Sequence, residues 1–453
     1  MTTSCNLPQD WKDENVVPVF KSGDKLESGN YRPVSLTCEV VKILERIFLS
    51  KLTEHVGKKQ LLDNDQFGFR PNRSCEMQML LYTKYLAESY DRNHQVHAIY
   101  LDLQKAFDKV PHIELLYKLR SQFGITGKVL HWINAFLSGR RQRVNVGQAY
   151  SSWVNVTSGV PQGTILAPIL FIMYVQDMQN GLAETEIKFL KFADDTKLFT
   201  EIRSKSDEEN LQKNLSILGD WFEKWKMPVN VKKSGVIKFG RPDKSDLSYI
   251  LHSEEMKILH RERDLGIIMD ETLSYKAHIE TVVNKAMRTY GWLSRNLTTR
   301  DRQVVVKVYK TLIRPTLEYA SSVWSPSRVG MNDRLEKVQK KITKLVARNA
   351  GSYSDRLRTL KLPSLRWRRN YLDLLKVFQV VHGDQKFRKQ LFTLSAEITD
   401  SNLRRHRLAI YKNKVHTDLL EHHFTNRMVD QWNALPEELL DIPGSNLNCL
   451  NRN

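Results

Sequence analysis

Cysteine is scarce in this chain. Its 453 residues hold four, Cys5, Cys38, Cys75 and Cys449, scattered and without a CxxC pair. That spacing supports neither a disulfide framework nor a zinc knuckle, and it fits a reducing, intracellular location. Long apolar runs are lacking too. The longest, Ile165 to Val175, contains Pro168 and is too short to span a bilayer, so no membrane partner is expected. No signal peptide opens the chain, and there is no internal repeat or low-complexity tract. Acidic residues are the other shortage. Against 70 Lys and Arg stand 51 Asp and Glu, a net charge of +19 and a pI of about 9.6. Such a balance points to a polyanionic partner, nucleic acid first and an anionic membrane second. Apolar content is ordinary, and the length allows two or three domains with a sizeable core.

Against that background one stretch stands out, Ile187-Lys188-Phe189-Leu190-Lys191-Phe192-Ala193-Asp194-Asp195-Thr196-Lys197-Leu198-Phe199. Apolar flanks suit a strand on each side, with Asp194 and Asp195 at the turn between them. Taken alone this is an Asp-Asp turn in a surface hairpin. Adjacent anions repel, however, and burying them is costly without a cation. A divalent metal is the simplest partner, and oxygen-only ligands favour Mg²⁺. A second carboxylate is delivered similarly: Val96 to Leu101 reads as a strand apolar on both faces and ends at Asp102.

Cations and a tight loop accompany these carboxylates. Val16 to Phe20 and Asn30 to Leu36 read as two short strands joined by a polar turn, bracketed by Lys21 and Arg32. Lys21 and Arg32 could grip a triphosphate, or decorate a solvated hairpin. Thr157 to Thr164 holds two glycines and a proline and opens an apolar helix to Met178; backbone can approach a ligand closely at Gly163. Helices are expected at 39–52 (apolar face Val40, Ile43, Leu44, Ile47, Phe48), from Ser74 to about Tyr90, at 113–123 and at 127–137. A capping box at Ser206-Asp207-Glu208-Glu209 starts another, with Leu211, Leu215, Leu218 and Phe222 on its buried face. Arg140 to Val146 reads as a basic hairpin. Residues 1–15 show no periodicity. Beyond about residue 274 basic amphipathic helices dominate, among them one with Trp367, Tyr371, Leu374, Leu375 and Phe378 inside and Arg366, Arg368 and Arg369 outside. Several such helices in a +19 chain suit nucleic-acid phosphates. His416, His422 and His423 lack matching ligands for a metal cluster.

If adjacent strands of one sheet bring Asp102 to Asp194 and Asp195, three carboxylates can hold two divalent ions for in-line phosphoryl transfer.

The motifs run in the order found in one family. Phe20-Lys21-Ser22-Gly23-Asp24 with Asn30 to Leu36, Gln66-Phe67-Gly68-Phe69-Arg70, Leu101 to Asp108, Gly159-Val160-Pro161-Gln162-Gly163-Thr164, and Phe192-Ala193-Asp194-Asp195 together resemble a reverse transcriptase of the non-LTR (LINE, jockey-like) retrotransposons, over roughly residues 16–270. Arg314-Pro315, Trp324-Ser325-Pro326 and Trp432 to Pro436 resemble the C-terminal region of these elements. The resemblance implies an α+β fold: right-hand fingers and palm around an antiparallel sheet (1–270), a helical thumb (271–350) and a basic helical C-terminal region (351–453). It implies an RNA-directed DNA polymerase that extends a primer 3′-hydroxyl on an RNA template with dNTPs, using two Mg²⁺ (or Mn²⁺) ions. Asp102, Asp194 and Asp195 match the catalytic, metal-holding carboxylates. Lys21 and Arg32 match the cations on the incoming triphosphate, and Phe107 the aromatic gate against a 2′-hydroxyl. That gate speaks against an RNA-dependent RNA polymerase. Gln162 and Gly163 match the loop against nucleotide and template, Lys233 (less surely Lys232) the lysine that protonates pyrophosphate, and Leu265 and Gly266 the primer grip. The endonuclease usual in these elements does not precede the first motif, and the tail Ile442 to Cys449 is atypical. A truncated copy is therefore expected, either active or a silent nucleic-acid-binding remnant.

Overall fold

The structure is a computed structural model; it describes residues 7–182, 186–240, 248–398 and 406–440. The tail Ile442 to Cys449 lies outside them. The chain divides into two compact units by packing. The first comprises Met1–Arg73, His97–Val236 and Lys244–Ile258; the second comprises Ser74–Val96, Ile237–Asp243 and Leu259–Asn453.

In the first unit, β1 (Asp13–Phe20) and β2 (Tyr31–Leu36) form an antiparallel hairpin in which Val19 faces Arg32 and Phe20 faces Tyr31. β1 thus begins inside the stretch that shows no periodicity. Its start is fixed from elsewhere: Asp13 to Val16 run parallel to β4 (Arg141–Val146). The expected basic hairpin is this strand, and two short strands, β5 (Ala149–Tyr150) and β6 (Val154–Asn155), pair antiparallel with it. Its cations are tied down by β1. Arg140, 1% exposed, meets Glu14 at 3.0 Å, and Arg141 forks onto Asp13 at 2.6 and 3.0 Å.

A second sheet carries the carboxylates. Its order is Lys257–Ile258, β9 (Gly235–Phe239), β3 (Gln95–Leu101), β8 (Asp195–Ile202), β7 (Lys188–Phe192). β7 and β8 are antiparallel, whereas Lys257–Ile258 runs parallel to β9, so the sheet is mixed. The apolar helix Ala167–Tyr174, buried at nearly every position, helps fill the core. It is shorter than expected, because Gln176–Gln179 tightens into a 3₁₀ turn. The helix Lys205–Lys224 buries Leu211, Leu215, Leu218 and Phe222 as its spacing predicts, but its capping box is Ser204 with Asp207, two residues upstream of the expected Ser206.

The helix Glu39–Lys58 forms, yet with a different inner face. Val41, Glu45, Leu52 and Val56 are buried; of the expected face Leu44 and Phe48 pack against the core, while Val40, Ile43 and Ile47 remain half exposed. Glu45 occupies an inward position because its carboxylate accepts from the Ile165 and Leu166 amides (2.7 and 2.9 Å), capping the start of the apolar helix. Burial pushes its carboxyl above the ordinary range.

The second unit is mostly helical, with an antiparallel strand pair at 261–270. Ser74 caps the helix Cys75–Asp91 as expected, accepting from the Met77 amide at 3.2 Å. Longer helices follow at Lys276–Asn296, Val329–Val346 and Leu365–Val381. Ile279, Val282, Ala286, Leu335, Val338 and Ile342 are buried as their periodicity requires. The helix Leu365–Val381 buries Phe378 as expected but otherwise turns differently from its sequence pattern. Arg369 and Asp373 are inside, Trp367 is 55% exposed, and Arg368 forks onto Glu318 at 2.7 and 3.0 Å. Arg368 and Arg369 are therefore not free for phosphates. His423 is buried against Thr83 at 3.0 Å, and no His/Cys/Asp/Glu group able to hold a metal occurs there among the described residues. No described helix is long and apolar enough to cross a membrane.

Candidate active site

Nine of the eleven site residues named from sequence lie in the first unit. Asp102 follows the last residue of β3, and Asp194 sits in the two-residue turn between β7 and β8. β8 neighbours β3, so the expected adjacency of strands holds. Asp195 pairs with Phe192 at the mouth of the hairpin and is exposed. Asp102 is half-buried, its backbone clasped by the segment 228–234. The Asp102 amide donates to Ser234 Oγ (3.1 Å), and its carbonyl accepts from the Asn230 amide (2.8 Å).

The electrostatics gather the remaining groups. Burial raises the Asp194 carboxyl above its ordinary value; the Asp102 charge raises it further, and Lys21 and Arg32 oppose the rise. Burial likewise raises Asp102, opposed by Lys233 and Lys21. Each cation therefore acts on the carboxylates although Lys21, Arg32 and Lys233 are all solvent-exposed. Among the described residues no ion pair closes either carboxylate, and no cluster of three or more His, Cys, Asp or Glu could hold a metal. The donor chemistry nevertheless suits a hard cation: acceptor-only oxygens on a pair of partly desolvated, mutually repelling carboxylates.

The loop 157–164 is a joint. Val160 N donates to the Phe107 carbonyl (2.8 Å) and Gly159 N to that of Val110 (2.8 Å). At Gly159 (φ +94°) a Cβ would meet the Asp108 carbonyl oxygen at 2.8 Å. Ser35 N, on β2, donates to the Gln162 carbonyl at 2.7 Å. Gln162 spends its side-chain amide on Asp108 (2.9 Å), a carboxylate that burial raises and this bond lowers. Phe107 is half-buried, stacked on Phe171 with centroids 4.5 Å apart, and met edge-on by Phe69 at 6.1 Å.

Leu265 and Gly266 belong to the second unit. They form the turn between the strands Arg261–Asp264 and Ile267–Asp270, at φ +45° and +88°. Tyr319 Oη donates to the Leu265 carbonyl at 3.0 Å. Sequence reasoning missed Asp108 and Glu45 as structural carboxylates. The Asp63, Asp65 and Lys191 group was also unforeseen: Lys191 is fully buried, with Nζ 3.6 Å from Asp63 and 3.2 Å from the Gln176 carbonyl. Burial pulls Lys191 down and pushes both aspartates up. Only a lysine placed inside an otherwise apolar strand hinted at it.

A strand ending in one carboxylate, beside a hairpin bearing another and within reach of cations on a two-stranded arm, is the arrangement of a palm-type nucleotide polymerase. Residues 19–260, more than half the chain, match the family described as reverse transcriptase (RNA-dependent DNA polymerase). The chain belongs to that family. It is 28% identical to the RNA-directed DNA polymerase from mobile element jockey of Drosophila funebris over 75% of this chain and 37% of that protein. The jockey polymerase of Drosophila melanogaster gives 28% over 79% and 40%. The probable RNA-directed DNA polymerase from transposon X-element of Drosophila melanogaster gives 24% over 75% and 38%. The chain thus spans about two fifths of the length of these curated relatives. Among solved structures, apo telomerase from Candida Tropicalis aligns with a TM-score of 0.44 at 10% identity, over 84% of this chain and 69% of that one; a score so low carries no weight here.

Proposed function

We propose that the chain is an RNA-directed DNA polymerase that adds dNTPs to a primer 3′-hydroxyl on an RNA template, with release of pyrophosphate. The observation that carries this reading is the pair Asp102 and Asp194 at neighbouring strand ends, under the field of Lys21, Arg32 and Lys233, in a chain of this family. Asp102 and Asp194, with Asp195 beside them, would hold two Mg²⁺ (or Mn²⁺) ions. Bound there, the metal would lower the pKa of the attacking hydroxyl and neutralise the leaving pyrophosphate. Lys21 and Arg32 hold the triphosphate, and Lys233 supplies a proton to the leaving group. Phe107, braced by Phe171, blocks a 2′-hydroxyl by size. Gln162 and Gly163 shape the floor between β2 and Phe107, and Leu265 and Gly266 grip the primer. On this reading residues 1–270 serve as fingers and palm, 271–350 as thumb, and 351–453 as a basic C-terminal region. Target DNA is the natural source of the primer.

The test is primer extension on poly(rA)·oligo(dT) with dTTP and Mg²⁺, alongside Asp194→Asn. Extension by the parent alone is expected. No extension by the parent, with RNA binding intact and steeply salt-dependent, would replace the reading by that of a silent nucleic-acid-binding protein of the same fold.

A further inference from the structure

Of the segment Gln66 to Arg70 only Phe69 has entered the site so far, through its contact with Phe107, yet the segment also touches the catalytic hairpin. Phe67 N donates to the Lys191 carbonyl and Lys191 N to the Asp65 carbonyl, both at 2.8 Å, so Gln66 pairs with β7 two residues before the turn. The Gln66 side chain is 1% exposed. Its Oε1 accepts from Gly68 N at 2.8 Å and from Ala193 N at 3.0 Å. Both partners are donors, which fixes the oxygen rather than the nitrogen of the amide in that place.

The accepted amide is a strained one. Ala193 holds φ +57° at the first central position of the turn, where two-residue hairpins ordinarily use glycine. An alanine there persists only if its surroundings over-determine the conformation. Gln66 supplies a bond to that residue, and the residue after it is Asp194. A separate observation agrees. A Cβ at Gly68 would meet Ala193 N at 2.4 Å and Ala193 Cα at 3.1 Å, so the loop is pressed onto the turn as closely as glycine permits.

We propose that Gln66 is a positioning residue: its side-chain oxygen, clamped between Gly68 N and Ala193 N, locks the left-handed turn that aims Asp194 beside Asp102. The inference rests on the polymerase reading for its importance to turnover, but not for the clamp itself. Gln66 touches no reacting atom. It acts through the backbone of Ala193.

Three variants test this. Gln66→Met keeps the shape and removes the acceptor. Gln66→Glu keeps an acceptor oxygen. Gly68→Ala displaces the same turn from the other side. The first readout is Mn²⁺ binding followed by electron paramagnetic resonance, without nucleotide or template. The second is the split of kcat against KM for dTTP. Gln66→Met should weaken Mn²⁺ binding and lower kcat by about 10–100-fold each, the usual cost of losing a group that orients a metal ligand. The KM should stay near parental, and the thermal midpoint should fall only by the modest amount that two unpaired buried amides cost. Gln66→Glu should recover most of the Mn²⁺ affinity, since an added anion does not repel the cation. Parental Mn²⁺ affinity in Gln66→Met overturns the inference, as does a parallel collapse of affinity, KM and midpoint. Should Gln66→Met fail to fold, Gly68→Ala must show the same split, and parental Mn²⁺ binding there overturns the inference. A parent that binds Mn²⁺ without extending primers removes the polymerase reading, while the Mn²⁺ arm still decides on Gln66.

Discussion

Gly163 lies against Ser35 so closely that a Cβ would meet the Ser35 carbonyl oxygen at 2.7 Å, and its φ of +116° is one that side-chain-bearing residues rarely adopt. Ser35 is on β2, three residues beyond Arg32. The loop and β2, the strand proposed to present Arg32 to the triphosphate, are thus joined at a point where no side chain fits.

Gly163→Ala should push β2, and Arg32 with it, away from the carboxylates. The expected result is a KM for dTTP raised by up to about 100-fold, the scale of a misplacement near 1 Å. Stability should fall by about 1–3 kcal/mol, the cost of the forced backbone conformation. Steady-state kinetics and chemical denaturation measure the two. An unchanged KM in a folded variant would separate this joint from nucleotide binding.

The scaffold beneath the site yields a second prediction. Lys118 is fully buried, 2.5 Å from Asp177 and enclosed by Trp225, Trp221 and Tyr174 at 3.7 to 4.7 Å from their centroids. Burial pulls its pKa down to about 8. The unfolded chain then binds more protons between about pH 8 and the ordinary lysine value of 10.5, so stability contributed by this group rises with pH through that window. Lys118→Met should abolish the rise. It should also cost about 3–5 kcal/mol, because Asp177 is left charged and buried with only Gln122 and Trp221 as donors. Denaturation at pH 7 and at pH 10 tests both statements.

The carboxylates were legible in sequence because both follow or interrupt apolar strands, a pattern that local chemistry alone makes conspicuous. Their adjacency was not legible; it rested on motif order until β3 and β8 proved neighbours. The parallel pairing of β1 with β4 left no local sign, since non-local strand pairing is chosen by the whole fold. Glu39–Lys58 shows a different failure. It carries two apolar stripes, and the inner one was selected by Glu45, whose use as a cap depends on a helix more than a hundred residues later. Arg368 and Arg369 looked like phosphate ligands because charge patterning does not reveal that Glu318 and the core take them up.

Phe107 offers a test of substrate choice. Its ring stacks on Phe171 at 16° and stands nearly perpendicular, at 86°, to that of Phe69. Phe107→Ala should admit ribonucleotides, seen as a fall in the ratio of kcat/KM for dTTP over UTP. Stability should drop by about 1–3 kcal/mol, below the cost of a fully buried phenylalanine, since the ring is only half-buried. A sugar preference that survives the loss of the ring would place the gate elsewhere.

On the proposed reading Asp194 makes opposite demands on stability and activity. Its folded-state carboxyl is raised, chiefly by burial and then by Asp102. With no divalent cation present, the folded chain binds more protons than the unfolded one between the ordinary aspartate value, about 3.9, and the raised one. Stability therefore falls as pH climbs through that window and stays lower above it. Asp194→Asn removes this loss and should melt above the parent at pH 7 in chelator, by about 2–4 °C for each kcal/mol relieved. Adding Mg²⁺ should reverse the order, raising the midpoint of the parent and not that of the variant. The same variant should not extend primers. Melting curves with and without Mg²⁺ carry the decision. A variant less stable than the parent in chelator would mean that the Asp194 charge is satisfied within the protein itself, and the metal assignment at this hairpin would fail with it.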